Sequence, residues 1–478
     1  MNKNIIIALD LGSSKISAMM AQRAEDGRLD ILNCQTINHK PKDTPIRNGV
    51  VNNKSIVTSN IQEIVSRLRN HVQLTGRNIT SAYIGIGGRT LTSKLYSVQQ
   101  HYDKDTELDE QEIDRLAQLA KDQMEQRGDI IYEVIPQEFV LDDAEVVNPE
   151  GCTAREVTAR FLIVSSKIAF EERITPATSR VPLAQKGCVM SAIAEANIIM
   201  TDHEKEMGCA MVDLGAETTS VVVYKNRFIR HVAVIPFGGN SISEDLTTLR
   251  LTSHQAEEMK CKYGYAMVDC VEKPKKITIQ LPGQTSIETN QIEVAKIIQA
   301  RIDEIMDQVC KEIDDSGYYT ELSDGIVITG GASELRSLEQ FISFKTGMRV
   351  RKADLSELVK PHVNPQWMRP ENSVLLGLLF NAETDDDCTT AKEIPQEVPE
   401  SPKAKDDPGV TLIATTSAAE TSGASGQPIP EKTNTDNSKR SKGRLGNLFQ
   451  KASKKAGEIA EEFFFQDTED HFSDTKKK

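Results

Sequence analysis

The chain has 478 residues, a formal net charge of −14 and 38% hydrophobic residues, which is long enough for two or three domains with cores of their own. The negative charge argues against nucleic acid as a partner, because nucleic-acid-binding proteins present basic surfaces to phosphates. The eight cysteines occur singly, from Cys34 to Cys388, without the paired spacing of zinc or redox motifs, so we expect free thiols in a reducing cytoplasm. The apolar run that ends at Leu9 is stopped by Asp10, too early for a signal peptide.

Three regions differ in composition. Residues 1–382 alternate apolar strands, turn residues and helical periodicities, a pattern that is typical of an α/β protein. Residues 383–438 hold six prolines among acidic and hydroxyl side chains, and such a segment buries too little surface to offset its ordering entropy. We therefore predict a disordered linker there, then a helix over residues 439–465 and a polar tail over residues 466–478. A helix behind a linker is expected to work away from the folded part.

A strand, an acidic glycine turn and a returning strand occur twice in the folded part. The first turn (residues 10–14) follows the strand Ile5 to Leu9, and the second turn (residues 213–218) follows the strand Cys209 to Val212. Glycine lets the backbone approach a ligand, while turn amides and hydroxyls can bond phosphate oxygens. The aspartate that opens each turn is placed to hold Mg²⁺ or its waters. The candidate ligand-binding residues are Asp10, Gly12, Ser13, Ser14, Lys15, Asp213, Gly215 and Thr218, with Asp10 and Asp213 as the metal ligands.

A third element pairs two glycines with a strand. The strand Gly325 to Thr329 ends at Gly330 and Gly331 (the glycine pair), and a helix is predicted to start at Ala332. Paired glycines would let a nucleotide lie against the backbone, although such a junction taken alone more often reflects packing. Two short helices rich in small residues, Met190 to Met200 and Ser373 to Phe380, complete the pattern.

In this order the three elements resemble the phosphate 1, phosphate 2 and adenosine motifs of the actin, Hsp70 and sugar-kinase superfamily. The two short helices resemble the connecting helices of that superfamily. The resemblance implies an α/β, actin-like (ribonuclease H-like, duplicated) two-lobe ATPase fold with ATP and Mg²⁺ in the cleft between the lobes.

Within that superfamily, the passage from Gly208 to Asn240 is similar to the FtsA family, and so is the segment from Glu257 to Gly264. By this resemblance Glu257 and Lys260 match residues that reach the nucleotide. The implied subdomains are 1A (1–83 and 167–207), 1C (84–166), 2A (208–233 and 315–382, returning to 1A) and 2B (234–314).

The expected subdomain 1C has its own pattern. Asp109 caps a predicted helix whose apolar face is Ile113, Leu116, Ala117, Ala120 and Met124. The stretch Glu133 to Phe139 resembles a Leu-Pro-Gln-Glu-Tyr stretch of the family, and Val157 to Val164 is a predicted strand. The glycine run at Gly85 to Gly88 is not interpreted as a dinucleotide loop, because no βαβ unit with a following acidic residue supports that. The resemblance implies that 1C contacts neighbouring subunits in a filament and later division proteins.

The C-terminal helix is predicted from its residues alone. Residues 439–455 contain seven Lys and Arg and no acidic residue, and one helix face is apolar with cations at its sides, as in helices that lie in a membrane interface. Each basic residue contributes about 1 kcal/mol at an anionic leaflet. The alternatives are a helix that packs on its own domain and a calmodulin-type target. The candidate membrane-binding residues are Leu445, Leu448, Phe449, Lys451, Lys454, Lys455, Ile459 and Phe463.

The resemblance also implies partners. In FtsA relatives the C-terminal tail of FtsZ docks on subdomain 2B, where the predicted helix Gln291 to Val309 carries Lys296 and Arg301. A cationic rim suits an acidic tail, but Arg301 can equally be a solvated residue or pair with Glu304 or Glu293. The expected place is the cytoplasmic face of the inner membrane at the septum, as a peripheral protein.

Two classes of function follow from the same fold. The first is a membrane-anchored adaptor that polymerises and uses ATP as a conformational control, and the second is an ATP-consuming enzyme or chaperone-like ATPase. No catalytic residue is assigned, and weak or absent hydrolysis is expected. One departure from the family is Ala216 and Glu217 in the second turn, because a glutamate would repel phosphates unless Mg²⁺ or a turned-out side chain intervenes.

Overall fold

The computed structural model of this protein describes residues 4–391, apart from residues 40–43, 73–76, 147, 182, 281–285 and 384. The chain divides into two units, residues 1–392 and residues 393–478. The second unit, with the predicted amphipathic helix, the polar tail and nearly all of the predicted linker, lies outside the described residues.

The described part of the chain contains twenty strands and ten α-helices. The strands are β1 (Ile5–Leu11), β2 (Lys15–Arg23), β3 (Leu29–Asn38), β4 (Ile46–Arg47), β5 (Val50–Val51), β6 (Arg77–Ile79), β7 (Ser81–Ile86), β8 (Thr92–Glu107), β9 (Ile130–Leu141), β10 (Ala144–Val146), β11 (Thr153–Ser166), β12 (Ala184–Met190), β13 (Cys209–Leu214), β14 (Thr219–Lys225), β15 (Phe228–Ile235), β16 (Lys276–Gln280), β17 (Ser286–Asn290), β18 (Gly325–Thr329), β19 (Val350–Lys352) and β20 (Thr389–Ala391). The α-helices are α1 (Lys54–Val72), α2 (Glu110–Glu125), α3 (Phe170–Thr178), α4 (Ser191–Ile199), α5 (Asp202–Met207), α6 (Gly239–Leu246), α7 (Ser253–Tyr263), α8 (Gln291–Asp315), α9 (Leu338–Thr346) and α10 (Ser373–Asn381).

The two halves of the folded part repeat one sheet topology. In the first lobe the strand order is β12-β7-β1-β2-β3, and in the second lobe the same connectivity gives β19-β18-β13-β14-β15. In each lobe the first strand pairs antiparallel with its returning strand and parallel with a later strand, β7 or β18. The internal duplication that the two acidic turns indicate is therefore present in the topology.

The core follows from strand alternation. Successive side chains of a strand face opposite sides of the sheet, and in β13 Cys209 and Met211 pack in one hydrophobic cluster while Ala210, Val212 and Leu214 pack in another. The first cluster also holds the apolar residues of β1, β2, α1 and α10, and the second holds the buried face of α8. The second lobe thus contributes one sheet face to each of the two cores.

The two predicted connecting helices are α4 and α10, and they pack on each other between the lobes. A Cβ atom at Gly377 of α10 would lie 2.7 Å from the carbonyl carbon of Ala194 in α4, which is closer than real contacts allow. The absence of a side chain at Gly377 therefore lets the two helices approach at this point.

The segment from β8 to β11, here called the insert, interrupts the chain of the first lobe. Its sheet is hydrogen-bonded to the sheet of the second lobe. Its strands form the order β10-β9-β11-β8, and β8 continues into the sheet of the second lobe by pairing Thr92 with Ala233. Helix α2 has the predicted Asp109 cap, whose side chain accepts from the Glu112 amide, and it buries all five predicted apolar residues.

Two predicted boundaries need correction. The boundary of 1C at residue 84 falls inside β7, which pairs with both β1 and β12 and so belongs to the first lobe. The linker does not start at residue 383, because β20 pairs antiparallel with β6 and Cys388 is fully buried. The acidic residues that suggested a linker are paired instead, Asp387 with Arg77 and Asp386 with Lys186.

Within the predicted subdomain 2B, residues 234–314, lie α6, α7, the hairpin of β16 and β17, and nearly all of α8. None of the helices among the described residues combines the length and the apolar character that crossing a membrane requires.

Candidate functional site

A cleft of about 1230 Å³ opens between the lobes and is lined from both of them. The first and second turns and the glycine pair, which are far apart in sequence, meet there. All twelve residues predicted to bind the nucleotide line it: Asp10, Gly12, Ser13, Ser14, Lys15, Asp213, Gly215, Thr218, Glu257, Lys260, Gly330 and Gly331.

Both acidic turns are closed tightly enough to require glycine. A Cβ atom at Gly12 would lie 2.9 Å from the Lys15 carbonyl oxygen, and one at Gly215 would lie 2.9 Å from the Thr218 carbonyl oxygen. The Gly215 amide donates to that Thr218 oxygen at 2.9 Å. The bare backbone of each turn can therefore approach a ligand in the cleft.

The glycine pair is placed against the second turn. Gly330 has φ of 83°, and a Cβ atom there would lie 2.2 Å from Oδ1 of Asp213, so only glycine fits beside this carboxylate. After it the chain makes a short 3₁₀ turn, Gly331–Glu334, and the α-helix begins at Leu338 rather than at Ala332. The predicted helix start was thus early, because one 3₁₀ turn intervenes.

The two turn aspartates face a common space at the base of the cleft. Burial raises the pKa of Asp10 to about 6, and the charge of Lys15 opposes that rise. Burial also raises the pKa of Asp213, and the neighbouring charge of Asp10 adds to the rise. Each aspartate would thus gain from a nearby cation, which favours the ionised form.

This donor pair fits Mg²⁺. Such a cation prefers one or two carboxylates completed by phosphate oxygens and water, and Asp10 and Asp213 supply two carboxylates. Among the described residues no group of three His, Cys, Asp or Glu side chains is arranged to hold a metal.

The ammonium group of Lys15 is held beside the first turn. Its Nζ is 3.4 Å from Oδ1 of Asn372 and 3.5 Å from a carboxylate oxygen of Glu371, so residues just before α10 hold it. Its charge also lowers the free energy of the ionised Asp10.

Sequence reasoning missed Glu195 beneath the cleft. This glutamate of α4 is fully buried, and its Oε1 accepts hydrogen bonds from the Ser373 and Thr329 hydroxyls, whereas Oε2 has no partner. Burial raises the pKa of Glu195 well above its usual value, and the charges of Asp213 and Asp10 raise it further. The only signal for it in the sequence was a single acidic residue in a helix rich in small and apolar residues.

Sequence reasoning also left the start of α6 unassigned. The amides of Gly239 and Asn240 donate to the Gly215 and Ala216 carbonyls at 2.9 and 2.7 Å, and a Cβ atom at Gly238 would lie 2.6 Å from the Gly215 oxygen. The second turn is therefore held in shape by α6. The available signal was the pair of adjacent glycines, Gly238 and Gly239, which stands two residues after the strand β15.

Glu257 and Lys260 of α7 complete this wall. Lys260 Nζ lies 2.7 Å from Glu257 Oε2 and donates to the Gly239 carbonyl at 2.8 Å. Burial opposes ionisation of Glu257, yet the Lys260 charge and hydrogen bonds leave its pKa below the usual value. The two charges neutralise one another, and the ion pair fixes both side chains in this wall of the cleft.

Glu217 is turned away from its own turn. Its Oε2 accepts the backbone N–H of Asn48 at 2.6 Å, and Asn48 lies in the first lobe between β4 and β5. The side chain thus reaches across to the first lobe but stays among the residues that line the cleft, so its orientation does not remove the repulsion of phosphates that the sequence indicates.

The two predicted FtsZ-binding residues lie on α8, and neither of them lines the cleft. Lys296 is exposed. Arg301 is bonded through Nε to Asp245 at 2.6 Å and through Nη1 to Glu304 at 2.7 Å. The pairing with Glu304 was one of the alternatives that the sequence left open, while Asp245 was not foreseen.

Comparison with known proteins places these features in a family. Residues 210–377 match the family model described as cell division protein FtsA, and residues 88–165 match the model described as the SHS2 domain inserted in FtsA. The cell division protein FtsA of Neisseria meningitidis serogroup B is 29% identical over 403 residues, covering 82% of this chain and 92% of the relative. That of Porphyromonas gingivalis is 28% identical over 340 residues, covering 70% and 69%. A solved PilM-PilN type IV pilus biogenesis complex contains a chain of similar fold, with a TM-score of 0.57 and 14% identity, covering 78% of this chain and 97% of that chain.

Proposed function

We propose a function for this chain from the family to which it belongs, the FtsA cell division proteins, and from its actin-like two-lobe fold. From this premise we propose that it binds ATP with Mg²⁺ in the cleft, polymerises, and holds FtsZ at the cytoplasmic face of the inner membrane at the septum. The observation that supports the nucleotide site best is the convergence of the two turns and the glycine pair on one cleft.

The proposed pose follows from the backbone. The phosphates lie between the first and second turns, whose amides and hydroxyls donate to anionic oxygens. The adenosine lies against the glycine pair, where the backbone carries no side chain, with Glu257 and Lys260 on its other side. Asp10 and Asp213 would hold Mg²⁺, which would supply charge neutralisation for the phosphates.

The nucleotide acts in this proposal as a conformational control with weak or absent hydrolysis. ATP contacts both lobes at once, so its binding energy depends on their relative position. The variants Asp10→Ala and Asp213→Ala test whether the nucleotide binds in this cleft. Each is expected to weaken Mg²⁺-dependent ATP binding in a fluorescence titration. If both variants bind ATP like the unaltered chain, the nucleotide lies elsewhere.

We assign membrane attachment to residues 439–465 because of the sequence of that segment. Its cationic flanks attract anionic lipid while its large apolar side chains insert. Binding of one helix is reversible and strengthens when polymerisation lines up many subunits. Later division proteins are proposed to dock on the insert.

The adaptor role is tested by sedimentation with anionic lipid vesicles and purified FtsZ. The full chain is expected to bring FtsZ down with the vesicles, whereas a chain truncated before Lys439 leaves both in the supernatant. FtsZ that sediments equally with the truncated chain would overturn the adaptor role. A steady-state ATPase assay on the same samples separates the adaptor from an ATP-consuming enzyme, since only the enzyme turns ATP over rapidly.

A further inference from the structure

Glu217 joins the two lobes across the mouth of the cleft. It belongs to the second turn, between β13 and β14, and its carboxylate accepts the Asn48 N–H of the first lobe at 2.6 Å. Both residues line the cleft together with Ser13 and Gly215. One carboxylate thus lies next to the place proposed for the phosphates and is bonded to the opposite lobe.

The N–H group that receives this carboxylate is held rigidly. Asn48 and Gly49 have φ of 47° and 74°, and the Asn48 carbonyl accepts the Arg89 amide at 3.1 Å. A Cβ atom at Gly49 would lie 2.8 Å from Cα of Gly88, so the turn is wedged against the chain that follows β7. The direction of the Asn48 N–H is therefore fixed by the first lobe.

The same turn is tied to the first acidic turn. The Gly49 amide donates to Oγ of Ser13 at 3.2 Å, so two successive N–H groups of this turn point toward the cleft-lining residues Glu217 and Ser13. Successive backbone N–H groups in a turn form a concave receptor for anions. Part of that receptor is filled by a carboxylate of the protein itself.

A phosphate placed between the two turns meets this carboxylate in two ways. The like charges repel one another, and a phosphate oxygen that approaches the Asn48 N–H must displace Glu217 from it. Both effects are largest for the phosphate group that extends furthest along the turns toward Asn48.

We propose that Glu217 determines which nucleotide the cleft prefers, because its carboxylate competes with the terminal phosphate of a nucleoside triphosphate for the Asn48 N–H. The bridge thereby favours a nucleoside diphosphate over a triphosphate. This inference rests on the proposed ATP site.

The test is the ratio of two dissociation constants, for ADP and for a non-hydrolysable ATP analogue, both with Mg²⁺. In Glu217→Ala, which removes the charge and the acceptor, affinity for the ATP analogue is expected to rise at least ten-fold relative to ADP. In Glu217→Gln, which removes the charge but keeps an oxygen that can accept from Asn48, the shift is expected to be smaller and in the same direction. Glu244→Gln removes an exposed carboxylate from the same cleft, and it should change the ratio less than two-fold.

The outcomes separate the inference from the proposed function. If the unaltered chain binds neither nucleotide, the ATP site itself is wrong. If it binds both, and both Glu217 variants keep its ratio within two-fold, the competition is refuted. A shift in Glu244→Gln as large as that in Glu217→Gln would also overturn the proposal, since general charge in the cleft would then explain the effect without the bridge. Unchanged ADP affinity in Glu217→Ala shows that the variant is folded.

Discussion

The carboxyl group of Glu195 is fully buried in a helix interface, with Asp10 and Asp213 as its charged neighbours. Its raised pKa means that the folded protein holds a proton that the unfolded chain releases above about pH 4.3. The stability that this proton contributes is fully present below the unfolded pKa and is lost as the pH rises through the folded pKa. Glu195 therefore makes the protein less stable in base than in mild acid.

We expect Glu195→Gln to be more stable than the unaltered chain at pH 8, by about 1 to 3 kcal/mol, because glutamine fills the same space without a charge to bury. The advantage should shrink toward pH 5. Chemical denaturation at the two pH values measures it. A constant difference between pH 5 and pH 8 would mean that Glu195 is not the titrating group.

The two cations on α8 differ in their surroundings. Their contributions to the proposed FtsZ contact can therefore be measured separately. Arg301 is already paired with Asp245 and Glu304, while Lys296 is exposed. Lys296→Glu is expected to weaken binding of an FtsZ tail peptide more than ten-fold, about 1.4 kcal/mol, in a fluorescence anisotropy titration. Arg301→Gln should change affinity less and lower thermal stability instead, since Asp245 loses its partner across the α6 and α8 contact.

A larger effect of Arg301→Gln than of Lys296→Glu would show that Arg301 leaves its carboxylates to meet the peptide. If neither substitution changes the affinity, the tail binds away from this part of α8. ATP binding is the control, because neither residue lines the cleft.

Among the elements, α2 and the strands beside the acidic turns could be predicted from local pattern. The Asp109 cap and five periodic apolar residues specify α2 without help from the rest of the chain. Likewise, Asp10 and Asp213 follow apolar strands and precede glycine turns, so the geometry of the site is encoded locally.

Other elements depend on contacts that sequence does not display. The strand β20 consists of three residues that follow an acidic stretch. It forms because β6 offers an edge and because Arg77 and Lys186 pair with Asp387 and Asp386 just before the strand. Likewise, the hydrogen bonding of the buried Glu195 carboxylate depends on Ser373, which is 178 residues away in the sequence. Composition alone indicated a linker in the first case and an ordinary helix in the second.

If residues 439–465 form the amphipathic helix that their sequence predicts, substitutions on its two faces should have different effects on membrane binding. Phe449→Asp or Ile459→Asp puts a carboxylate on the apolar face and is expected to abolish sedimentation with anionic vesicles while the folded part is unchanged. Gln450→Asp adds the same charge on the other side of the helix and should weaken binding only modestly. Vesicle binding that survives Phe449→Asp at moderate salt would exclude the apolar face as the membrane contact.

At the scale of the whole molecule, the insert couples the lobes. It interrupts the chain of the first lobe, yet its sheet continues into the second lobe. Gln137, which is 1% exposed, donates to the Ile229 carbonyl at 3.1 Å, and Glu138 forms an ion pair with Arg230. A movement of the second lobe must therefore carry the insert with it or break these contacts.

Removing the amide tests that coupling. Gln137→Ala leaves the Ile229 carbonyl without this donor and is expected to lower the free energy of unfolding by about 1 to 3 kcal/mol. It should also speed hydrogen exchange of β9 more than that of β13. Gln99→Ala changes an exposed residue of the same insert, and an effect within about 0.5 kcal/mol is expected. Equal effects of the two substitutions would show that Gln137 does not fasten the insert.

The strand β20 has a mechanical consequence. The described chain ends on the first lobe, where β20 is hydrogen-bonded to β6 and its acidic neighbours are paired with Arg77 and Lys186. A pulling force applied to the chain beyond Ala391 is therefore borne by these bonds and passes into the first lobe alone. Tension on the C-terminal segment does not run through α10 or across the cleft, so a load of this kind can be carried without prying the two lobes apart.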